Sequence, residues 1–139
     1  MKFFSLLFVL ILNVVLIAPE AVTTDISITI SNISGDEGKV LIGLYTEDTF
    51  MKSDPVKSAL GTIKDGSTTV VFEDVEKGIY GIIALHDANS NGAMDFEANG
   101  MPKEAYGVSN NPFSFGPPQW EDAKFEVNGE ENLALEIRF

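Results

Sequence analysis

The sequence predicts an all-β fold, an antiparallel β-sandwich of about seven strands with one long structured loop. Three observations support this prediction. Several short segments alternate apolar with polar residues, which is the period of a strand with one buried face. Clusters of Gly, Asn, Asp and Ser separate these segments, as tight turns do. No segment carries the apolar period of a long helix.

The first four strands are predicted to form two hairpins. Residues 25–33 alternate isoleucine with serine or threonine, and residues 39–45 read K-V-L-I-G-L-Y. The Gly-rich cluster at 34–38 turns the chain between them, so these two strands are expected to pair. Residues 59–64 and 68–72 flank a D-G-S turn, which predicts a second hairpin.

A central strand and a last hairpin are predicted further along. Both alternating sets of side chains in residues 78–86 are largely apolar, which indicates a strand covered on both faces. Residues 123–127 and 133–139 again alternate, on either side of Asn128-Gly129. We expect them to pair with each other across that turn.

A polar loop follows the predicted central strand and reads D-A-N-S-N-G-A-M-D. Asp87, Asn89, Asn91, Gly92 and Asp95 match the first, third, fifth, sixth and ninth positions of an EF-hand-type calcium loop. Carboxylate and amide oxygens are hard donors that suit Ca²⁺. The same residue types also dominate ordinary turns, which is the alternative interpretation.

The remaining ligands of this predicted calcium site come from outside those matches. The carbonyl of Ala93 stands at the seventh position. Ala98 stands at the twelfth position, where an EF-hand has a bidentate glutamate, so Glu97 or Glu104 is expected to supply the last ligand. The loss of that glutamate predicts weak calcium binding, and the absence of flanking helical patterns excludes an EF-hand fold.

The stretch from 87 to 121 is long, lacks periodicity and is rich in aromatic residues. Tyr106 and Trp120 are predicted as a possible ligand surface, because such rings offer stacking faces with polar edges. The alternative is a cap over the sheet. We expect that buried arrangement for Phe113, Phe115 and Trp120, because Pro and Gly around them indicate a loop that folds back.

The N-terminus and the composition bound the location and the partners. Residues 1–21 are predicted to be a cleaved secretory signal, with an uncleaved anchor as the alternative, leaving residues 22–139 as one domain without a membrane span. The protein is therefore expected to be exported, periplasmic or extracellular. A net charge of −12 argues against nucleic-acid binding, and the absence of cysteine excludes disulfides and thiolate metal sites.

Four longer motifs carry a resemblance to a known family. They are G-K-V-L-I-G-L-Y at 38–45, G-I-Y-G-I-I-A-L-H-D-A-N-S-N-G-A-M-D at 78–95, M-P-K-E-A-Y-G-V-S-N-N at 101–111 and F-G-P-P-Q-W-E-D-A-K-F at 115–125. Together they resemble the secreted bacterial family called domain of unknown function 2141. The resemblance implies an exported, single-domain β-sandwich of the transthyretin or carboxypeptidase-regulatory type, which fits the transthyretin-like or Ig-like sandwich predicted here, without implying an activity.

A second resemblance concerns the polar loop alone. The series Asp87, Asn89, Asn91 and Asp95 is similar to the calcium loops in the B-type repeats of Gram-positive surface adhesins. The later glutamate of the adhesin pattern would fall three residues past Asp95, where Ala98 stands.

The residues favour a non-catalytic module that binds a protein or glycan partner at the cell envelope. His86 is the only histidine, and neither Ser90 nor Ser109 lies in a recognisable nucleophile motif. A structural His86 that caps the central strand and bonds the loop is expected. The alternatives are a small hydrolase centred on His86 and an assembly protein that pairs through an edge strand.

Overall fold

A computed structural model describes residues 14–129 and 131–139. Within them the chain forms two sheets and is nearly all β, which confirms the predicted fold class. Eight strands occur rather than about seven, because a short strand lies inside the long loop. The elements are β1 (Thr23–Ser31), β2 (Lys39–Tyr45), β3 (Lys57–Gly61), β4 (Thr68–Glu76), β5 (Gly78–Asp87), β6 (Tyr106–Val108), α1 (Trp120–Ala123), β7 (Phe125–Val127) and β8 (Leu133–Arg138).

The predicted signal segment, residues 1–21, lies mostly outside the described residues. Its last part, 14–21, contains neither strand nor helix. Across the described ranges, no helix has the length and apolarity needed to cross a membrane. Every described strand lies between residues 23 and 138.

One sheet has the order β4-β1-β8, and the other has the order β3-β2-β5-β6 with β7 also paired to β5. All pairs are antiparallel except β1 with β8, which run parallel from Ile26 opposite Leu133 to Ser31 opposite Arg138. The sandwich is therefore antiparallel with one parallel edge. Strand β5 is central, as predicted, with neighbours on both sides.

The three predicted hairpins are wrong as pairings. Strands β1 and β2 lie in different sheets, and so do β7 and β8. The D-G-S turn likewise leads from one sheet to the other, and only an isolated bridge between Lys64 and Ser67 closes it. Alternation identifies the buried face of each strand but is the same for strands of both sheets, so it does not select the partner.

The main core lies between the inner faces of the two sheets. Ile26, Ile28 and Ile30 of β1 are fully buried there, opposite Val40 and Leu44 of β2. These are the apolar members of the alternating pattern, so the period of the sequence specifies the core. The other buried members are Ile33, Ile42, Ile63, Phe72, Val75, Ile82, Ala84, Val127 and Ile137.

A second apolar cluster covers part of the outer face of the five-stranded sheet. Ile82 points into the main core, so its neighbour Gly81 faces outward. A Cβ on Gly81 would lie 3.0 Å from the ring of Phe50 and 3.2 Å from that of Trp120. The glycine therefore allows these rings to rest on the sheet. The buried members of this second cluster are Phe50, Val108 and Ala123, with Tyr45, Ile83, Tyr106 and Trp120 packed at its border.

Removing one core side chain tests the packing of the sheets. Ile28→Ala should lower the free energy of unfolding by about 2–5 kcal/mol, because it leaves a cavity at a fully buried position. Urea denaturation measures this loss. The control Val71→Ala changes a side chain that is 51% exposed and should cost less than about 1 kcal/mol. Equal losses in the two variants would contradict this core.

Candidate functional site

The polar loop begins where β5 ends, beside the 34–38 turn. Lys39 of β2 pairs with Asp87, and Gly38 just before it has φ 76°. A Cβ on Gly38 would lie 2.1 Å from the carbonyl oxygen of Asp87 and 2.7 Å from Cα of Ala88. Only glycine combines this conformation with so close an approach. The two turns are therefore in backbone contact at one end of the sandwich.

His86 closes that end of the main core. It is buried, and its Nε2 lies 2.8 Å from the carbonyl oxygen of Glu37 in the 34–38 turn. The residue therefore has the structural position expected at the end of the central strand. Its ring partner is this turn and not the polar loop, which corrects that part of the prediction.

Asp87 organises the first half of the polar loop. Its side chain is only 2% exposed, and its two oxygens accept hydrogen bonds from the backbone N–H groups of Asn91 (3.1 Å) and Gly92 (2.8 Å). Gly92 has φ 80°, so the chain turns there through a conformation that most residues avoid. Backbone donors thus wrap the loop around a buried carboxylate.

The side chains of Asn89 and Asn91 both point at the carboxylate of Asp95. Asn89 Nδ2 donates to Asp95 Oδ2 at 2.6 Å, and Asn91 Nδ2 lies 2.9 and 3.0 Å from the two carboxylate oxygens. The amide oxygens of Asn89 and Asn91 accept backbone N–H bonds from Asn91 and Ala93, at 3.2 and 3.0 Å. The alternating residues of the loop therefore converge.

Glu104, which lies just before β6, reaches this cluster. Glu97 makes no described hydrogen bond to it. The Glu104 carboxylate accepts the N–H groups of Ala88 (3.2 Å) and Asp95 (3.4 Å). Glu97 is exposed, and its backbone N–H bonds the carbonyl of Met101 inside a small hairpin. Of the two predicted late ligands, the fold brings Glu104 to the loop.

The cluster is a mixture of carboxylates and carboxamides. The described residues contain no group of three or more His, Cys, Asp or Glu side chains placed to hold a metal. They form two ion pairs, Lys124 with Glu121 and Arg138 with Glu136, and both lie away from the loop. In this arrangement the charge of Asp95 is met by amide N–H groups. Carboxylate oxygens and the oxygens of carboxamides are hard ligands of the kind that Ca²⁺ prefers, whereas the amide nitrogens that face Asp95 here are not.

The aromatic residues of the long loop divide into two groups. Trp120 packs against Phe50, with ring centroids 5.5 Å apart, and Tyr106 lies half-buried with its hydroxyl 3.3 Å from the carbonyl of Gly116. These residues form the expected cap. Phe113 and Phe115 are 98% and 97% exposed, so the prediction that they are buried is wrong.

A cleft of about 310 Å³ lies beside Tyr106 and is bordered by residues of the long loop. Tyr106 and Asn111 line it together with Arg138 of β8. Glu136 holds the Arg138 guanidinium at 3.1 Å, and hydrogen bonds from Arg138 and then from Ser31 lower the pKa of Glu136. The predicted ligand residue Tyr106 therefore lies at a small cleft, whereas Trp120 lies outside it.

Ser109 has a role that the sequence did not indicate. It is 1% exposed, its Oγ accepts the N–H of Ile82 at 2.9 Å, and the same hydroxyl donates to the carbonyl of Ala123. Ser109 thus connects β5 and α1 to the start of the segment between β6 and α1, residues 109–119, here called the aromatic loop. Its hydroxyl and the ring of His86 bond to different backbone groups.

The comparison with protein families matches residues 28–134 to the family described as "Uncharacterized protein conserved in bacteria (DUF2141)". The chain belongs to the DUF2141 family. This confirms the resemblance seen in the four motifs, and all of the strands from β2 to β7 lie inside the match. No curated protein matches the chain. No solved structure matches it either.

The backbone contact at Gly38 can be tested against a second glycine of the same turn. Gly38→Ala should lower the free energy of unfolding by more than about 2 kcal/mol, because it adds a clash with Asp87 to the cost of positive φ. The control Gly35→Ala has φ 80° with nothing within 4 Å and should lose only about 1 kcal/mol. Chemical denaturation of both variants measures the difference, and an equal loss would show that the contact is unimportant.

The buried hydroxyl of Ser109 can be tested in the same way. Ser109→Ala leaves the Ile82 N–H without its acceptor and should cost about 1–3 kcal/mol of stability. Ser114→Ala changes an exposed serine of the same loop and should cost less than about 0.5 kcal/mol. Thermal unfolding of the two variants gives the comparison. A Ser109→Ala variant as stable as the unaltered protein would show that the Ser109 hydroxyl does not hold β5 and α1 together.

Proposed function

We propose that this DUF2141 protein is an exported, non-catalytic β-sandwich module whose long loop is ordered by Ca²⁺ and contacts a protein or glycan partner at the cell envelope. The observation that carries the proposal is the convergence of Asn89 and Asn91 on the carboxylate of Asp95. Turn residues of the same composition have no need to point at a common centre.

Charge supports a cation at this centre. Asp87, Asp95 and Glu104 all lie along one loop, and none of them forms an ion pair within the described residues, although their three carboxylates are not gathered closely enough to hold a metal by themselves. The Asn amides offer Asp95 only partial positive charge, whereas a divalent cation would offer a full one. Rotation of either amide by 180° would replace its nitrogen with an oxygen and add a ligand, but it would also break the backbone N–H bond that this oxygen accepts.

The ligands available predict the strength of binding. Asp87, Asn89, Asn91 and Asp95 supply side-chain oxygens, the Ala93 carbonyl supplies another, and Glu104 replaces the missing glutamate of the twelfth position. Glu97 is the less favoured alternative, because it is exposed and its carboxylate makes no described hydrogen bond to the loop. With an incomplete ligand set, the dissociation constant should lie at about 10⁻⁴–10⁻³ M, the range of extracellular modules.

The proposed contact surface for the partner is the exposed side of the long loop, residues 87–121. Tyr106 at the 310 Å³ cleft is the favoured contact, since its ring is half-exposed beside the polar groups of Asn111 and Arg138. Trp120 contributes to this surface mainly by holding the cap in place. Calcium bound at the start of the loop would reduce the entropy lost when the loop meets its partner.

Calcium should raise the melting temperature of residues 22–139, which contain every described strand. At ten times the dissociation constant the stabilisation is about 1.4 kcal/mol, equivalent to about 3–6 °C for a domain of this size. Differential scanning calorimetry with Ca²⁺ and with chelator measures it. Asp95→Asn should abolish the shift because it removes a carboxylate from the centre of the cluster.

Asp65→Asn is the matched control for charge. It makes the same chemical change in the turn before β4, where φ is 54° and asparagine is equally tolerated, so its calcium response should equal that of the unaltered domain. A melting temperature that calcium and chelator leave unmoved, together with no heat of binding in titration calorimetry, would refute the calcium site.

A further inference from the structure

The exposed pair Phe113 and Phe115 lies in the longest uncharged part of the domain. Residues 105–120 contain no Asp, Glu, Lys or Arg, in a chain that is 22% charged and carries a net charge of −12. The two rings are 98% and 97% exposed, and they lie edge to face with their centroids 6.1 Å apart. A soluble surface rarely displays two large apolar side chains side by side without a use for them.

The base of this loop is fixed, although its tip projects. Asn110 Nδ2 donates to the carbonyls of Asp122 and Lys124, both at 3.0 Å. Asn111 donates to the carbonyl of Glu136 and accepts the N–H of Arg138, both at 2.8 Å. The loop is thereby attached to α1 on one side and to β8 on the other. It presents its rings from a rigid support, which lowers the entropic cost of burying them elsewhere.

We propose that Phe113 and Phe115 insert into the boundary between the headgroups and acyl chains of a lipid bilayer. The geometry favours this partner over a glycan, because rings inclined at 74° to each other form no common stacking plane. It favours a bilayer over a protein pocket, because the nearly complete exposure of both rings makes the pair a protruding knob on an uncharged loop. A bilayer accepts such a knob without a matching shape.

The charge distribution agrees with insertion at this tip. An apolar loop enters a membrane interface most easily where no charged side chain must lose its hydration, and residues 105–120 meet that condition. The net charge of −12 repels anionic lipid, so neutral lipid is the preferred surface. Two phenylalanines give weak and reversible attachment, which differs from a membrane span.

This inference rests on the proposed function in one respect, since export to the envelope brings the domain to a bilayer. It does not depend on calcium, because phenyl insertion requires no ion. Vesicle binding and calcium binding therefore fail or succeed separately.

The test is sedimentation of residues 22–139 with phosphatidylcholine vesicles at millimolar lipid, in calcium and in chelator. The unaltered domain should partition weakly in both. The double variant F113S/F115S should lose more than about tenfold in partition coefficient, because it removes both apolar side chains from the tip. The control L60S/V71S removes two exposed apolar side chains from β3 and β4 and should bind as the unaltered domain does.

Unchanged melting temperatures in both double variants would show that the fold is retained. If F113S/F115S is unstable, the variant F113L/F115L provides the second test, because it keeps apolar side chains at both positions and should bind vesicles. Absence of binding by the unaltered domain would overturn the inference. So would equal binding by F113S/F115S, or binding that only the chelator removes, which would place the contact at the polar loop. Light scattering that shows a dimer lost in F113S/F115S, without vesicle binding, would identify a second copy as the partner and also overturn it.

Discussion

Packing on both faces of β5 fixes where the polar loop begins. Ile82 and Ala84 lie in the core between the sheets, and Gly81 on the opposite face supports the rings of Phe50 and Trp120. Hydrogen bonds to β2 on one side and to β6 on the other hold the strand along its length. Because β5 is held this firmly, its end at Asp87 is a rigid starting point for the polar loop.

The domain reaches this rigidity without disulfides. Small domains are often stabilised by such links, but this chain contains no cysteine. The two apolar clusters and the backbone contacts between turns take that role. At the polar loop the contact of Gly38 with Asp87 joins two turns, and at the aromatic loop Ser109 joins β5 to α1.

The two loops differ in the way they are held. The polar loop is organised by carboxylates that accept N–H groups, so its order depends on charges gathered in one place. The aromatic loop is organised by the carboxamides of Asn110 and Asn111, which bond to main-chain groups of α1 and β8 and carry no charge. A cation would act on the first kind of loop, and an apolar surface suits the second. Both loops lie between β5 and β7 in the chain.

The sequence by itself determined which side chains are buried in the strands, because a period of two assigns each residue to one face whichever strand lies beside it. It also indicated that Asn89, Asn91 and Asp95 meet within their loop, since alternating residues close to one another in the chain point to one side. Only the tertiary structure decided what depends on distant neighbours: that β1 pairs with β4 and β8 instead of β2, that Glu104 rather than Glu97 returns to the polar loop, and that Phe113 and Phe115 project into solvent. Those outcomes follow from where β6, α1 and β8 pack, and no local pattern contains that information.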